Sequence, residues 1–251
     1  MRFVDHLLRA TARAEARHFW FRGFRRFVTP LIRQALDGRP GALVLDCGCG
    51  TGANVELLGR FGATYGFDLS EVGLYIGREL GRNRLVRASV TAAPFPSGTF
   101  DLVTSFDVLY GLDPHDERAA VAEMYRLARP GGYAIFNVAA MDVLRGDHSV
   151  LSREVRRYRH PTLAALITHA GFTIVRLTYT NTTLFLPLAV IRTAHRMRGL
   201  ASEADAQQEI SVPPAPINAV LSGVLLLESV WLRHFDSPVG SSLLCLARKP
   251  A

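Results

Sequence analysis

A short apolar run that ends in an acid, with glycines at alternate positions after it, constrains this chain more than any other feature. Residues Val44–Gly52 read VLDCGCGTG. Leu43, Val44 and Leu45 are continuous apolar positions, the pattern of a parallel strand covered on both faces. Gly48, Gly50 and Gly52 allow a tight turn with no Cβ in the way, so a ligand can approach the main chain closely. A helical pattern resumes over Asn54–Leu58. The segment therefore reads as strand, turn and helix of an α/β sheet, with the carboxylate of Asp46 placed at the strand's end for a cationic group.

Dinucleotide-binding proteins carry GxGxxG at the same place. Here the spacing is GxGxG, and an acid stands two residues before the first glycine. Such an acid repels a pyrophosphate and holds an ammonium. At this turn the chain resembles the class I S-adenosylmethionine-dependent methyltransferases, as a small-molecule, type 11-like domain. Thr64–Phe67 reads as a second strand, and Asp68 in YGFDLS matches the family's ribose contact. Ser89–Val90 stand where the family often has an Asp–Ala pair beside the adenine, ahead of AAPFPSGTFD (Ala92–Asp101). Phe100–Phe106 reads as the fourth strand, and Asp107–Leu109 passes the cofactor's methionine end in the family. There the family frequently continues with Glu–His, where this chain has Tyr110–Gly111. An amphipathic helix (Glu117–Ala128) leads to Arg129-Pro130-Gly131-Gly132, a family hallmark, and to a strand at Tyr133–Val138.

These matches span about residues 40–180. The resemblance implies a Rossmann-like fold, a seven-stranded, mostly parallel sheet with helices on both faces, and S-adenosyl-L-methionine as cofactor. It implies cofactor contacts from Asp46, Cys47, Gly48, Gly50, Gly52, Asp68, Leu69, Ser89, Val90, Phe106 and Asp107.

The chain has 251 residues, enough for one α/β domain with an insertion. Its net charge of +7 is carried almost wholly by arginine, since Lys249 is the only lysine among 29 basic residues. Arginine suits carboxylate, phosphate or anionic headgroups. No zinc-finger, helix-turn-helix or aromatic–basic stacking signature accompanies it, so a nucleic-acid partner is not expected. Cys47, Cys49 and Cys245 make no metal pattern, and three cysteines fit a reducing cytoplasm. Met1–Arg9 contains Asp5 and lacks the apolar core of a signal peptide. No segment offers the roughly 20 unbroken apolar residues that span a bilayer.

Three zones differ in character. Met1–Pro40 is helical and carries the aromatic–basic cluster His18-Phe19-Trp20-Phe21-Arg22-Gly23-Phe24-Arg25-Arg26, a helical cap over cofactor and substrate or a set of packing anchors. Residues 41–180 form the cofactor-binding core, with a helix over Thr162–Ala170 and a sixth strand over Thr173–Tyr179. Residues 181–240 form a hydrophobic helical insertion before the last strand, Ser241–Arg248. Its apolar stretches, Leu184–Ile191 and Ala219–Leu227, must bury on the core, on a twin subunit, on a greasy substrate or on a membrane.

Methyl transfer from a sulfonium needs alignment and, for a hydroxyl or carbon acceptor, a base. Histidine is matched to that task at neutral pH. His148 is the first choice, because its loop leaves the carboxyl end of the fifth strand, the edge where open α/β sheets bind ligands. Tyr158 is placed to assist it, and Trp20, Tyr110 and Arg157 are candidate substrate contacts. The expected activity is methylation of a hydrophobic acceptor such as a polyketide, isoprenoid or lipid-linked intermediate. Two other readings stand beside it: a cyclisation on the same fold, or a cofactor-binding subunit that performs no transfer.

Overall fold

The computed structural model describes residues 2–145, 154–198 and 211–251. Two helices come first, α1 (Arg2–Ala14) and α2 (Phe19–Leu36). Five strands then alternate with helices: β1 (Leu43–Cys47), α3 (Ala53–Leu58), β2 (Ala63–Asp68), α4 (Glu71–Glu79), β3 (Leu85–Arg87), β4 (Phe100–Phe106), α5 (Pro114–Leu127) and β5 (Ala128–Ala139). The chain ends with α6 (His160–His169), β6 (Thr173–Thr180), α7 (Phe185–Arg198), α8 (Ala215–Trp231) and β7 (Ser242–Arg248).

One seven-stranded sheet results, in the order β3-β2-β1-β4-β5-β7-β6. All neighbours pair in parallel except β7, which is antiparallel to both β5 and β6. The seven-stranded, mostly parallel, Rossmann-like sheet that the resemblance implied is therefore present. Its order reverses between β1 and β4, so the crevice for a ligand opens at the carboxyl end of β1, where the glycines lie.

The pleat sorts the core into two layers. Val103, Phe136 and Cys245 face α5 and α6, joined by Val121, Met124, Leu163 and Ile167. Leu102, Ile135 and Leu244 face the other way, against Val28 and Ile32 of α2 and Leu225 of α8.

Caps explain where the helix boundaries depart from the sequence pattern. α5 begins at Pro114 because the Asp113 carboxylate accepts from the main-chain N–H of His115 (2.8 Å) and Asp116 (2.9 Å). α6 starts at His160, with Pro161 in its first turn. The RPGG segment, read as a turn ahead of β5, is part of that strand as a bulge: Phe100 pairs with Ala128, the register shifts, and Leu102 pairs with Tyr133. Asp101 holds the bulge through Arg129 at 2.7 Å, and it also accepts from Leu43 N at 2.8 Å.

Candidate functional site

The glycine turn is left-handed at all three alternate positions, with φ of +78° at Gly48, +54° at Gly50 and +79° at Gly52. A side chain at Gly48 would also collide with Val108, whose Cγ2 lies 2.4 Å from the position of a Cβ. Phe67 O accepts from Gly48 N (2.8 Å) and Cys49 N (2.9 Å), tying the turn to the end of β2. Asp68 stands beside it. Its Oδ2 accepts from Gly50 N and its Oδ1 from Ser70 N, each at 2.8 Å. The half-buried carboxylate is thus fixed by one N–H per oxygen, and each oxygen keeps a lone pair for a hydroxyl. Leu69 follows with its side chain exposed.

Asp46 lies beneath the turn and is 1% exposed. Thr104 Oγ1 donates to its Oδ1 at 2.7 Å, whereas Oδ2 is buried with no hydrogen-bond partner. Burial pushes this carboxyl up from 3.8 to about 7, the Thr104 hydrogen bond opposes the shift and the nearby Asp68 adds to it. Two acids crowded at one turn suit a cationic ligand, because a positive charge relieves both the desolvation and the repulsion. Burial likewise keeps the Cys47 and Cys49 thiols protonated, so they serve as small fillers of the turn.

Asp107 directly follows β4 in a left-handed conformation, φ +60°. It is exposed at the mouth of the crevice, and Asn137 Nδ2 of β5 donates to its Oδ1 at 3.0 Å. Phe106, just before it, packs edge-on against Phe24 of α2 at 5.0 Å. Ser89 and Val90 lie in an irregular turn where Ser89 Oγ meets Thr91 Oγ1 at 2.8 Å.

The helices ahead of β1 close on this edge. Leu8 of α1 comes within 3.2 Å of a Cβ built at Gly50. Buried Glu15 accepts from Thr51 Oγ1 at 3.2 Å and from Arg82 Nη2 at 2.7 Å, joining α1, the turn and the end of α4. Sequence reading missed this link, since a lone Glu and a lone Arg 67 residues apart carry no local signal. Trp20 is half-buried against the α2-side core with Phe19 and Phe24.

Comparison with known proteins places this architecture. Residues 45–136 match the family model described as a methyltransferase domain. The stretch from β1 into β5 is thus similar to a methyltransferase domain. Among curated relatives, it is 31% identical over 150 residues to a ubiquinone/menaquinone biosynthesis C-methyltransferase of Shewanella piezotolerans, covering 54% of this chain and 57% of that protein. It is 38% identical over 121 residues to a ubiquinone biosynthesis O-methyltransferase of Thiobacillus denitrificans, covering 44% and 51%. The matched segment spans little more than half the length of these relatives. Of solved structures, the [4+2]-cyclase SpnF superposes with a TM-score of 0.57 at 21% identity, covering 90% of this chain and 81% of that one; it shares the fold.

The segment after β5 behaves differently from its sequence reading. His148 lies outside the described residues. Tyr158 is 3% exposed, in the α5-side core, and its hydroxyl donates to Glu117. Arg156 pairs with the same Glu117 at 2.6 Å. Burial and the Glu117 carboxylate both raise the Tyr158 phenol, so it holds its proton. Arg157 is spent on Glu154 (2.6 Å and 2.9 Å) and on Ala140 O (3.0 Å). Tyr158 and Arg157 thus lock this segment against α5 and β5 instead of reaching toward an acceptor. Tyr110, half-buried in the 3₁₀ turn Leu109–Gly111, anchors the segment through its carbonyl, which accepts from Val155 N at 2.9 Å. Asn137 and Glu117 were not foreseen, because their partners come from other strands and loops.

Proposed function

We propose that this protein binds S-adenosyl-L-methionine across the Asp46–Gly52 turn and transfers its methyl group to a hydrophobic acceptor of the quinol or phenol type. The observation that carries this reading is the pairing of three left-handed glycines with a buried carboxylate oxygen that lacks a hydrogen-bond partner, at the sheet's switch point. The donor set fits a ligand bearing ribose hydroxyls and positive charge. Asp68 would accept the ribose hydroxyls, Leu69, Ser89 and Val90 would border the base, and Asp46 would balance the ammonium. When bound, the cofactor supplies a methyl already activated by its sulfonium, so the protein's part is alignment and removal of the acceptor's proton.

On the acceptor side, Asp107 is held by Asn137 at the mouth of the crevice. We assign His148 the proton from the acceptor, with Trp20 and Tyr110 lining its apolar path. By name the two curated relatives are a C-methyltransferase of ubiquinone and menaquinone biosynthesis and an O-methyltransferase of ubiquinone biosynthesis, which supports an acceptor of this kind. Calorimetric titration with S-adenosylhomocysteine tests the cofactor half, and methyl transfer to an isoprenoid hydroquinone tests the acceptor half. Binding with no transfer to any such ring would move the protein to the cyclising or subunit readings. Absence of binding would end the proposal.

A further inference from the structure

Helix α8 buries its polar side chains and leaves a stripe of apolar ones exposed. Its 17 residues hold one charged side chain, Glu228, and that side chain is buried. Glu228 accepts from Thr182 N at 2.8 Å and Thr183 N at 3.0 Å, and so caps the start of α7. The other polar residues also turn toward the protein. Asn218 Oδ1 accepts from Phe19 N at 2.9 Å, the main-chain carbonyl of Ser222 accepts from Arg26 Nη1 at 3.0 Å, and Ser222 and Ser229 are both buried. Leu225 packs inward, but four apolar residues point outward: Val220 is 66% exposed, Leu227 72%, Val230 46% and Trp231 45%. Between them, Gly223 has no neighbour within 4 Å of where a Cβ would stand. Phe235 stacks on Trp231 at 5.5 Å and closes the stripe with an aromatic pair. An ordinary surface helix shows the opposite arrangement, and a continuous exposed apolar stripe marks a docking surface.

Charge indicates what covers it. α8 packs along α2, whose outer line Arg22, Arg26 and Arg33 recurs at helical spacing. Arg22 and Arg33 are exposed, with no ion pair among the described residues. No acidic side chain lies on the outward face of α8, and Asp236 beyond its end is held by Arg176 at 2.8 Å. A second copy docked on this face would set arginines near arginines, which is unfavourable. Anionic lipid accepts both parts, the stripe at the acyl boundary and the guanidinium groups on phosphate. Among the described residues no helix is long and apolar enough to cross a membrane, so such a helix would lie in the interface plane.

We propose that the outer face of α2 and α8 seats this protein on anionic membrane surfaces. The inference does not depend on the methyl-transfer reading. The intact chain is sedimented with vesicles of phosphatidylcholine alone or mixed with an equal share of phosphatidylglycerol. The expected result is binding to the mixed vesicles, weakening as salt rises. Val220→Glu/Leu227→Glu should lower partitioning at least about tenfold, and Arg22→Glu/Arg33→Glu roughly fivefold per arginine at low salt. S-adenosylhomocysteine affinity, measured on the same variants, should equal that of the parent. Equal vesicle binding by parent and Val220→Glu/Leu227→Glu would overturn the proposal. A parent that ignores both vesicles would also overturn it, and a dimer split by the same double variant would then assign the face to a second copy. Vesicle binding without any S-adenosylhomocysteine binding would sustain this inference and sink the catalytic one.

Discussion

The crevice at the glycine turn and the outer face of α8 invert the usual placement of polar and apolar groups in opposite senses. At the turn a carboxylate is inside, with Asp46 at 1% exposure and one oxygen without a partner. On α8 Val220, Leu226, Leu227 and Val230 are outside, with Leu227 at 72%. Each arrangement costs free energy in the isolated chain, the first through desolvation and the second through apolar hydration. Each would be relieved by something from elsewhere, a cation in one case and an apolar surface in the other. Departures from local consistency mark the places where a fold meets its partners.

The comparison sharpens most when the two faces of α8 are truncated separately. Leu225 is fully buried, with its Cδ1 2.4 Å from where a Cβ on Gly23 would sit. Leu225→Ala should therefore destabilise the protein by about 2–5 kcal/mol in urea unfolding. A much smaller loss would mean that α8 does not pack tightly on α2.

At the turn, Asp68→Ala should weaken S-adenosylhomocysteine binding roughly ten- to a hundredfold, the value of a charged hydrogen bond of about 1.5–3 kcal/mol. Unchanged affinity by calorimetry would remove Asp68 from the ribose.

The buried charge also gives a pH dependence. Burial raises Asp46 from 3.8 to about 7, so the stability this group contributes is complete below about pH 4 and is lost as pH rises through about 7. A bound cation favours the carboxylate and reverses that preference. Cofactor binding should release a proton near neutrality and tighten with rising pH, by up to about tenfold per unit below pH 7. Calorimetry in buffers of differing ionisation enthalpy measures the proton, and Asp46→Asn should abolish the share owed to this residue.

The smallest effect belongs to the outward face of α8. Leu227→Ala should change stability by no more than about 0.5 kcal/mol. A loss near that of Leu225→Ala would show that the stripe is covered in the free protein.

Much of the fold was legible because its signals are local. Continuous apolar runs announced β1 and β4, and three alternate glycines can serve only a turn that requires positive φ. Helix starts were read a few residues late, since Asp113, an N-cap, and Pro161, a first-turn residue, lie outside the apolar periodicity. RPGG was read as a turn because Pro and Gly punctuate most strands, yet Asp101 and the last strand hold it in the sheet as a bulge.

By itself the sequence determined the α/β class, the strand that presents the glycines and the acids at the ends of β1 and β2, because each follows from spacing within a dozen or so residues. Tertiary structure alone decided which of those acids is buried without a full set of partners. It alone turned Tyr158 inward to Glu117 and closed Arg157 on Glu154. It also decided which side of α8 meets solvent, for both sides of that helix are rich in apolar residues and only the packing partner α2 distinguishes them. Hydrogen bonds and burial between residues far apart in the chain depend on how layers stack, and no periodicity in the sequence encodes that.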